Sequence, residues 1–188
     1  ALLARQAQPT PFMQHAYLAA LHASGSACPA TGWTPRYLTL WDDAGTLQAA
    51  CPLYLKPHSR GEYVFDWSWA EAYQRHGLDY YPKAVVAVPY TPVPGSRLLA
   101  HDKSARAALV EAVLALCREL GLSSLHLLFG HPTDIEACQS AGLMLRHTVQ
   151  FHWTNRTGTP GPYRDFDDFL AALSQDKRKK IRQERRKV

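Results

Sequence analysis

Apolar positions recur along this chain with two periods, and the switches between them lay out its elements. Residues 11–24, PFMQHAYLAALHAS, place Phe12, Ala16, Ala19 and Ala20 at helical intervals. With Thr10 as cap and Pro11 in the first turn, they predict a helix ending near Gly25. Cys28 to Pro35 is a Pro/Gly loop. Arg36–Trp41 and Leu47–Leu55 are β-rich runs joined by Asp42-Asp43-Ala44-Gly45, which predicts a hairpin. In the second run Leu47, Ala49, Cys51, Leu53 and Leu55 fall on one face. Pro52, Tyr54 and Lys56 fall on the other, so Pro52 must sit at an edge or a bulge. Ala84–Val88 reads as a buried strand, followed by a Pro-rich loop over 89–99. A helix over 103–120 presents Ala107, Val110, Val113, Leu114, Cys117 and Leu120 and stops at Gly121. Ser124–Phe129 is a further strand, and Thr133 caps a short helix ending at Gly142. From 144 to 155, Leu145, Val149, Phe151 and Trp153 alternate with Arg146, Thr148, Gln150 and His152, predicting a half-buried strand. A turn-rich break over 157–162 leads to an amphipathic helix at 165–173 with acids at its positive end, then to a helix that Ser174 caps. This order gives an α/β fold with a mixed, partly antiparallel sheet flanked by helices. No GxGxxG follows a strand, so dinucleotide binding has no support.

One stretch fits none of these patterns. Residues 56–83, KPHSRGEYVFDWSWAEAYQRHGLDYYPK, set Tyr63, Phe65, Trp67, Trp69, Tyr73, Tyr80 and Tyr81 among ten charged or histidine residues. A solvated linker lacks large apolar groups, and a core strand lacks unpaired charges. The mixture suits a pocket wall that excludes water and aims a few polar groups at a ligand. The alternative is an irregular connection whose aromatics cap the core.

Composition narrows the class. With 46% apolar and 20% charged residues in 188, the chain is sized for a soluble globular domain. No apolar run approaches the ~18 residues of a membrane span. The opening ALLARQAQPTPF lacks an initiator Met and the pattern of a signal peptide, and reads as a cut into a longer protein. Cys28, Cys51, Cys117 and Cys138 form no CxxC pair, and the histidines show no ligand spacing, so no metal is expected. A reducing cytoplasm is the natural setting. The net charge of +5 is local: residues 174–188 hold eight Lys/Arg against Asp176 and Glu184, and the remainder nets −1.

Several residues are candidates for chemistry. Lys56 could neutralise an anion and His58 could exchange a proton near neutral pH; the alternative is a surface lysine and a histidine bonded to backbone. Glu62 and Asp66 could be a general base and its orienting partner, or an ion pair with Arg60 or Lys83. On an extended segment Trp67 and Trp69 face one side, as a stacking surface or as core, with core packing expected for at least one. Tyr81 and Lys83 close the same stretch. Gln150 and His152, joined by Arg146, share a face of the last strand. Arg178 and Arg182 cluster with Arg185 and Arg186 on the final helix, as an anion site or a solvated face.

The words PLYLKPHSRGEYVFDWSWAEAY, YYPK, PYTPVPG, VQFHW and FDDFLAALSQDKRKKIRQERRKV closely resemble a bacterial GNAT-superfamily family labelled for peptidoglycan biosynthesis or recognition and related to the FemAB aminoacyltransferases. The element order is also that of the GNAT N-acyltransferase fold. The resemblance implies two tandem GNAT-like domains: residues 1–162 as the first, with 163–188 a basic helical connection into the second. It implies an acyl- or aminoacyltransferase acting on an amine acceptor such as a peptidoglycan precursor, with this chain as the acceptor-side half. Donors would be acyl-CoA or aminoacyl-tRNA, with tRNA as a possible partner. Lys56, Trp67, Trp69, Tyr81, Lys83, Gln150, His152, Arg178 and Arg182 would line the acceptor site, and Glu62, Asp66 and His58 would be candidates for proton transfer. The sequence departs from an acyl-CoA site at VPYTPVPGSRLLAHDKS, where three prolines lack the N–H, only Gly95 is present, and Asp102 opposes a phosphate; no cofactor is expected to bind this chain. The rival reading is a non-catalytic recognition module for a cell-wall precursor or another anionic ligand.

Overall fold

A computed structural model describes residues 2–156 and 161–187; most of the predicted break at 157–162 lies outside them. Two units emerge, residues 1–147 and 148–188. In the first, the predicted helix over 11–24 divides at Gln14, whose backbone is extended (φ −67°, ψ 142°). A 3-10 turn, Pro11–Met13, anchored by buried Met13, precedes α1 (His15–Ala23), and Thr10 makes no side-chain cap. Then follow β1 (Thr34–Pro35), β2 (Leu38–Trp41), β3 (Leu47–Cys51), β4 (Leu53–Lys56), α2 (Trp67–Arg75), β5 (Lys83–Val86), β6 (Leu99–Ala100), α3 (Lys103–Glu119), β7 (Leu125–Leu127) and α4 (Pro132–Ser140).

The sheet is mixed and partly antiparallel as expected, but it comes as two sheets. One has the order β1-β4-β5-β7, antiparallel except for the parallel β5/β7 pair; the other is β2-β3-β6. The run read as one strand over 47–55 breaks at Pro52. Proline has no N–H to continue a ladder, so the chain leaves one sheet there and enters the next. The hairpin of β2 and β3 forms around the Asp42–Gly45 turn.

One core lies between the sheets and α3. Leu109, Val110, Val113 and Cys117 of that helix pack against Ala49, Cys51, Leu53, Ala84 and Val86. Asp102 caps α3 by accepting from the Ala105 N–H at 2.8 Å. The α4 cap is His131 rather than Thr133, because Pro132 already takes the first helical position; the His131 ring accepts from the Thr133 N–H. The strand expected over 144–155 does not form. Alternation makes a face, yet a strand also needs a neighbouring ladder, and Val149, Phe151 and Trp153 stand exposed.

The 148–188 unit holds α5 (Phe166–Ala171) and α6 (Gln175–Arg185). Asp165 caps α5 through the Asp168 N–H at 2.8 Å, and the Arg178 guanidinium closes its other end on the carbonyls of Ala171 and Leu173. Ser174 occupies the cap position of α6 without a side-chain bond.

A buried charge ties the loops of the larger unit together. Asp134, fully enclosed, accepts from the Arg97 N–H at 2.6 Å and lies 3.4 Å from Arg106, which also bonds Gln6 at 2.9 Å. The guanidinium of Arg97 is itself enclosed and donates to the carbonyls of Gly95 and Val93; burial lowers it to about 10. Removing one partner leaves the other charge uncompensated. Asp134→Ala is therefore expected to cost about 3–5 kcal/mol in urea unfolding at pH 7, and a loss below about 1 kcal/mol would refute the staple.

Candidate functional site

Alternation along the strands sorts the site from the core. Leu53, Ala84 and Val86 face α3, and Leu125 and Leu127 pack with them. The opposite face of the same sheet carries Tyr54 and Lys56 on β4, Lys83 and Val85 on β5, and His126 on β7. Lys56 stands directly opposite Lys83 across the antiparallel ladder, and Val85 lies beside His126. Both lysines are 0% exposed, so two like charges are enclosed side by side and each needs a partner.

The stretch over 57–82 folds across this face and supplies those partners. Lys83 Nζ binds Glu62 Oε2 at 2.8 Å and forms a very short contact with Asp66 Oδ2, both carboxylates being buried. The same Asp66 oxygen accepts from the Tyr80 hydroxyl at 2.7 Å. Tyr80 Oη lies 3.1 Å from His126 Nε2, which is 3.0 Å from Ser124 Oγ. Since the Tyr80 proton goes to Asp66, the contact with His126 is satisfied when Nε2 carries the ring hydrogen. Lys56 has a different environment: its ammonium sits 3.7 Å from the centroid of the buried Trp33 ring and donates to the Arg60 carbonyl at 3.1 Å. The turn that aims Glu62 inward depends on Gly61 (φ 81°), where a Cβ would meet the Tyr90 ring at 2.6 Å.

These surroundings separate the titrations. Burial, reinforced by Lys83 and Arg60, lowers the Lys56 ammonium to about 8 against the pull of Glu62. Burial also raises Glu62, despite Lys83. For Asp66 burial acts upward but is outweighed by hydrogen bonds from Lys83, Ser59 and Tyr80, which hold it below the ordinary carboxylate value. Burial, then the charge of Lys83, takes His126 down to about 4.

Glu62, Asp66 and Lys83 thus come together as the ion pair that was the alternative to a general base, with Lys83 rather than Arg60 as the cation. Lys56 is neither a surface lysine nor an open anion contact. His58 stays outside the network: its Nδ1 accepts from the Arg60 N–H at 3.3 Å and its ring presses on Gly32. Tyr81 bonds Ser59 at 2.8 Å and meets the Tyr80 ring edge-on. Trp67 and Trp69 lie on α2, where positions two apart point about 200° apart, not to one side. Both are exposed, at 69% and 43%, as are Tyr63 and Phe65, so core packing of either tryptophan is excluded. Gln150 and His152 belong to the 148–188 unit, and the strand face meant to join them to Arg146 is not formed. Of the cations on α6, Arg178 is taken up by α5 carbonyls, while Arg182 lies 4.0 Å from Asp167 at the surface. Trp33, Ser124 and His126 carry no site role in the sequence reading, and Tyr80 stands there only among the aromatics of 56–83; the alternation of His126 between Leu125 and Leu127 is the available signal. Among the described residues no three His, Cys, Asp or Glu gather as a metal site, and no helix is long and apolar enough to cross a membrane.

His126 gives a direct check on this enclosure. Its ring should titrate near pH 4 by NMR and stay neutral between pH 5 and 8. A folded value below the unfolded one means its contribution to stability is present above about pH 6.5 and is lost as pH falls toward 4. A midpoint above 6 would show that the layer is open to water.

Residues 2–188 match the FemAB-like family model, described as peptidoglycan biosynthesis/recognition. No curated protein and no solved structure matches the chain. The motifs of the 56–83 stretch and the tail had pointed to the same group. Because the match spans the described fold from its first turn to its last helix, this chain belongs to the FemAB-like family of peptidoglycan biosynthesis and recognition.

Proposed function

We propose that the chain is the acceptor-side part of an acyl- or aminoacyltransferase that modifies an amine of a peptidoglycan precursor. The observation that carries this reading is the set of four exposed aromatics, Tyr63, Phe65, Trp67 and Trp69, raised on a segment whose base is pinned by the buried Lys83 pair. Large exposed aromatics on a fixed support suit recognition, since their area is presented without ordering cost on binding. In this reading the precursor lies against Trp67 and Trp69, and Asp66, held ionised, is a positioning residue for Lys83. Glu62 is the one acid here with a raised pKa and an enclosed oxygen, Oε1, lacking a hydrogen-bond partner, which suits it to accept a proton. The donor site falls to a second GNAT-like domain of the same chain. The free state of all four cysteines suits a cytoplasmic setting, where acyl-CoA and aminoacyl-tRNA occur.

A second reading is a recognition module without catalysis. The enclosure of Glu62 and Asp66, 3% and 1% exposed, favours it. The two part on Glu62→Gln in the full-length protein: loss of transfer with precursor binding intact supports catalysis, whereas binding intact with no transfer even in the unaltered protein leaves the module.

Two outcomes follow from the geometry. Trp67→Ala with Trp69→Ala should weaken precursor binding by about tenfold while thermal midpoint changes little, because neither ring is core. Unchanged binding would remove the aromatic ledge from the site. Acetyl-CoA should give no measurable heat on titration into the chain, because the α3 N-terminus is closed by the Asp102 carboxylate and the Pro-rich loop before it offers few amides. A micromolar constant would overturn this.

A further inference from the structure

The 148–188 unit contains a cavity of about 410 Å³ lined by Trp153, Asn155, Tyr163, Asp165, Phe166 and Phe169. We propose that this aromatic box is a binding site for an alkylammonium group. The shape of the box decides the class of ligand. The Phe169 ring forms a floor, and the planes of Trp153 and Tyr163 stand at 89° and 88° to it, with centroids at 6.1 and 5.4 Å; Phe166 leans in at 42° and 5.7 Å. Four aromatic rings set at differing angles around one cavity, with a carboxylate in its lining, suit a compact cation that contacts several rings at once.

Charge agrees with shape. Among the described residues no cation lines the cavity, and Asp165 does. One oxygen of Asp165 is taken by the Asp168 N–H, so the other is left for a ligand. The nearby cations are turned elsewhere: Arg156 and Arg164 face Asp168, and Arg182 faces Asp167. Cation contact is already the habit of these rings, since the Arg156 guanidinium lies 3.7 Å from the Tyr163 centroid and that of Arg185 4.4 Å from Phe166. Neither arginine is part of the cavity lining. The volume falls in the range of small-ligand pockets.

The ligand chemistry, a positively charged nitrogen bearing alkyl groups, has two sources: a small quaternary amine or a lysine-type side chain. The test is ligand-observed saturation-transfer NMR on the whole chain with choline, butylammonium, the neutral choline isostere 3,3-dimethylbutan-1-ol and adenosine monophosphate. Choline or butylammonium should bind saturably, the tighter of the two identifying the source, and the neutral isostere should bind about tenfold more weakly. Asp165→Asn keeps a helix cap while removing the charge, and should weaken the cation at least about threefold. Trp153→Leu, at a 68% exposed position, should abolish binding with the circular dichroism spectrum unchanged. Equal binding of the neutral isostere, preference for adenosine monophosphate, or no saturable binding of either cation would each overturn the proposal.

Discussion

The enclosure of Lys83 is the constraint on which the larger unit depends. An ammonium with no exposed surface carries a desolvation cost of several kcal/mol, and only close carboxylates can return it. Glu62 and Asp66 do so from positions 21 and 17 residues earlier in the chain. That pairing fixes the middle of the 56–83 stretch to its end on the sheet; of its aromatics Tyr80 is buried beside the pair, while Tyr63, Phe65, Trp67 and Trp69 stand exposed. Lys56, across the ladder from Lys83, receives no direct carboxylate, only a ring face and a carbonyl, and burial, reinforced by the charges of Lys83 and Arg60, takes its ammonium to about 8.

Topology puts the charges where they are. Because Pro52 ends one ladder, β4 is free to enter the other sheet antiparallel to β5, and their register sets Lys56 against Lys83. The parallel β5/β7 pair then brings His126 alongside. Leu53, Ala84 and Val86 on the reverse face hold that register against α3, since a one-residue slip would exchange core and polar faces. The polar layer and the apolar core are two sides of one alternation.

Much of this was legible in the sequence where local chemistry decides structure. The Asp42–Gly45 turn, the middle of the α3 stripe (Val110, Val113, Leu114 and Cys117) with its stop at Gly121, and the singular composition of 56–83 correspond to what is built, whereas Ala107 and Leu120 of that stripe are exposed and Leu109 takes a core place outside it. Local patterns failed where distant partners decide. The alternating residues at 144–155 found no ladder, so no strand formed. The helix of α2 was hidden because Trp67 and Trp69 imitate the period of a strand, and because Asp66, in the cap position, has its carboxylate on Lys83 and Tyr80 instead of the helix. Lys56 and Lys83 look like surface residues in any window of sequence; Glu62 and Asp66 make Lys83 an interior one, and the Trp33 ring and the Arg60 carbonyl enclose Lys56.

The two units treat charge in opposite ways. Residues 1–147 hold eleven Lys/Arg and eleven Asp/Glu, whereas 148–188 hold ten against five, so the whole net charge of +5 resides in the smaller unit. The larger unit balances its charges internally and encloses the decisive ones, which makes them insensitive to salt and costly to disturb. On the described residues of the smaller unit the cations stay largely exposed along α6, where screening governs their reach. The aromatic residues follow the same division: those of 56–83 stand on a base held by buried ions, while Trp153 and Tyr163 meet Phe169 edge to face, Phe166 meets it at a tilt, and arginines lie over Tyr163 and Phe166. A unit whose charges cancel and one that carries a net positive charge answer differently to ionic strength: added salt weakens anion attraction to the second and leaves the enclosed pairs of the first nearly unchanged.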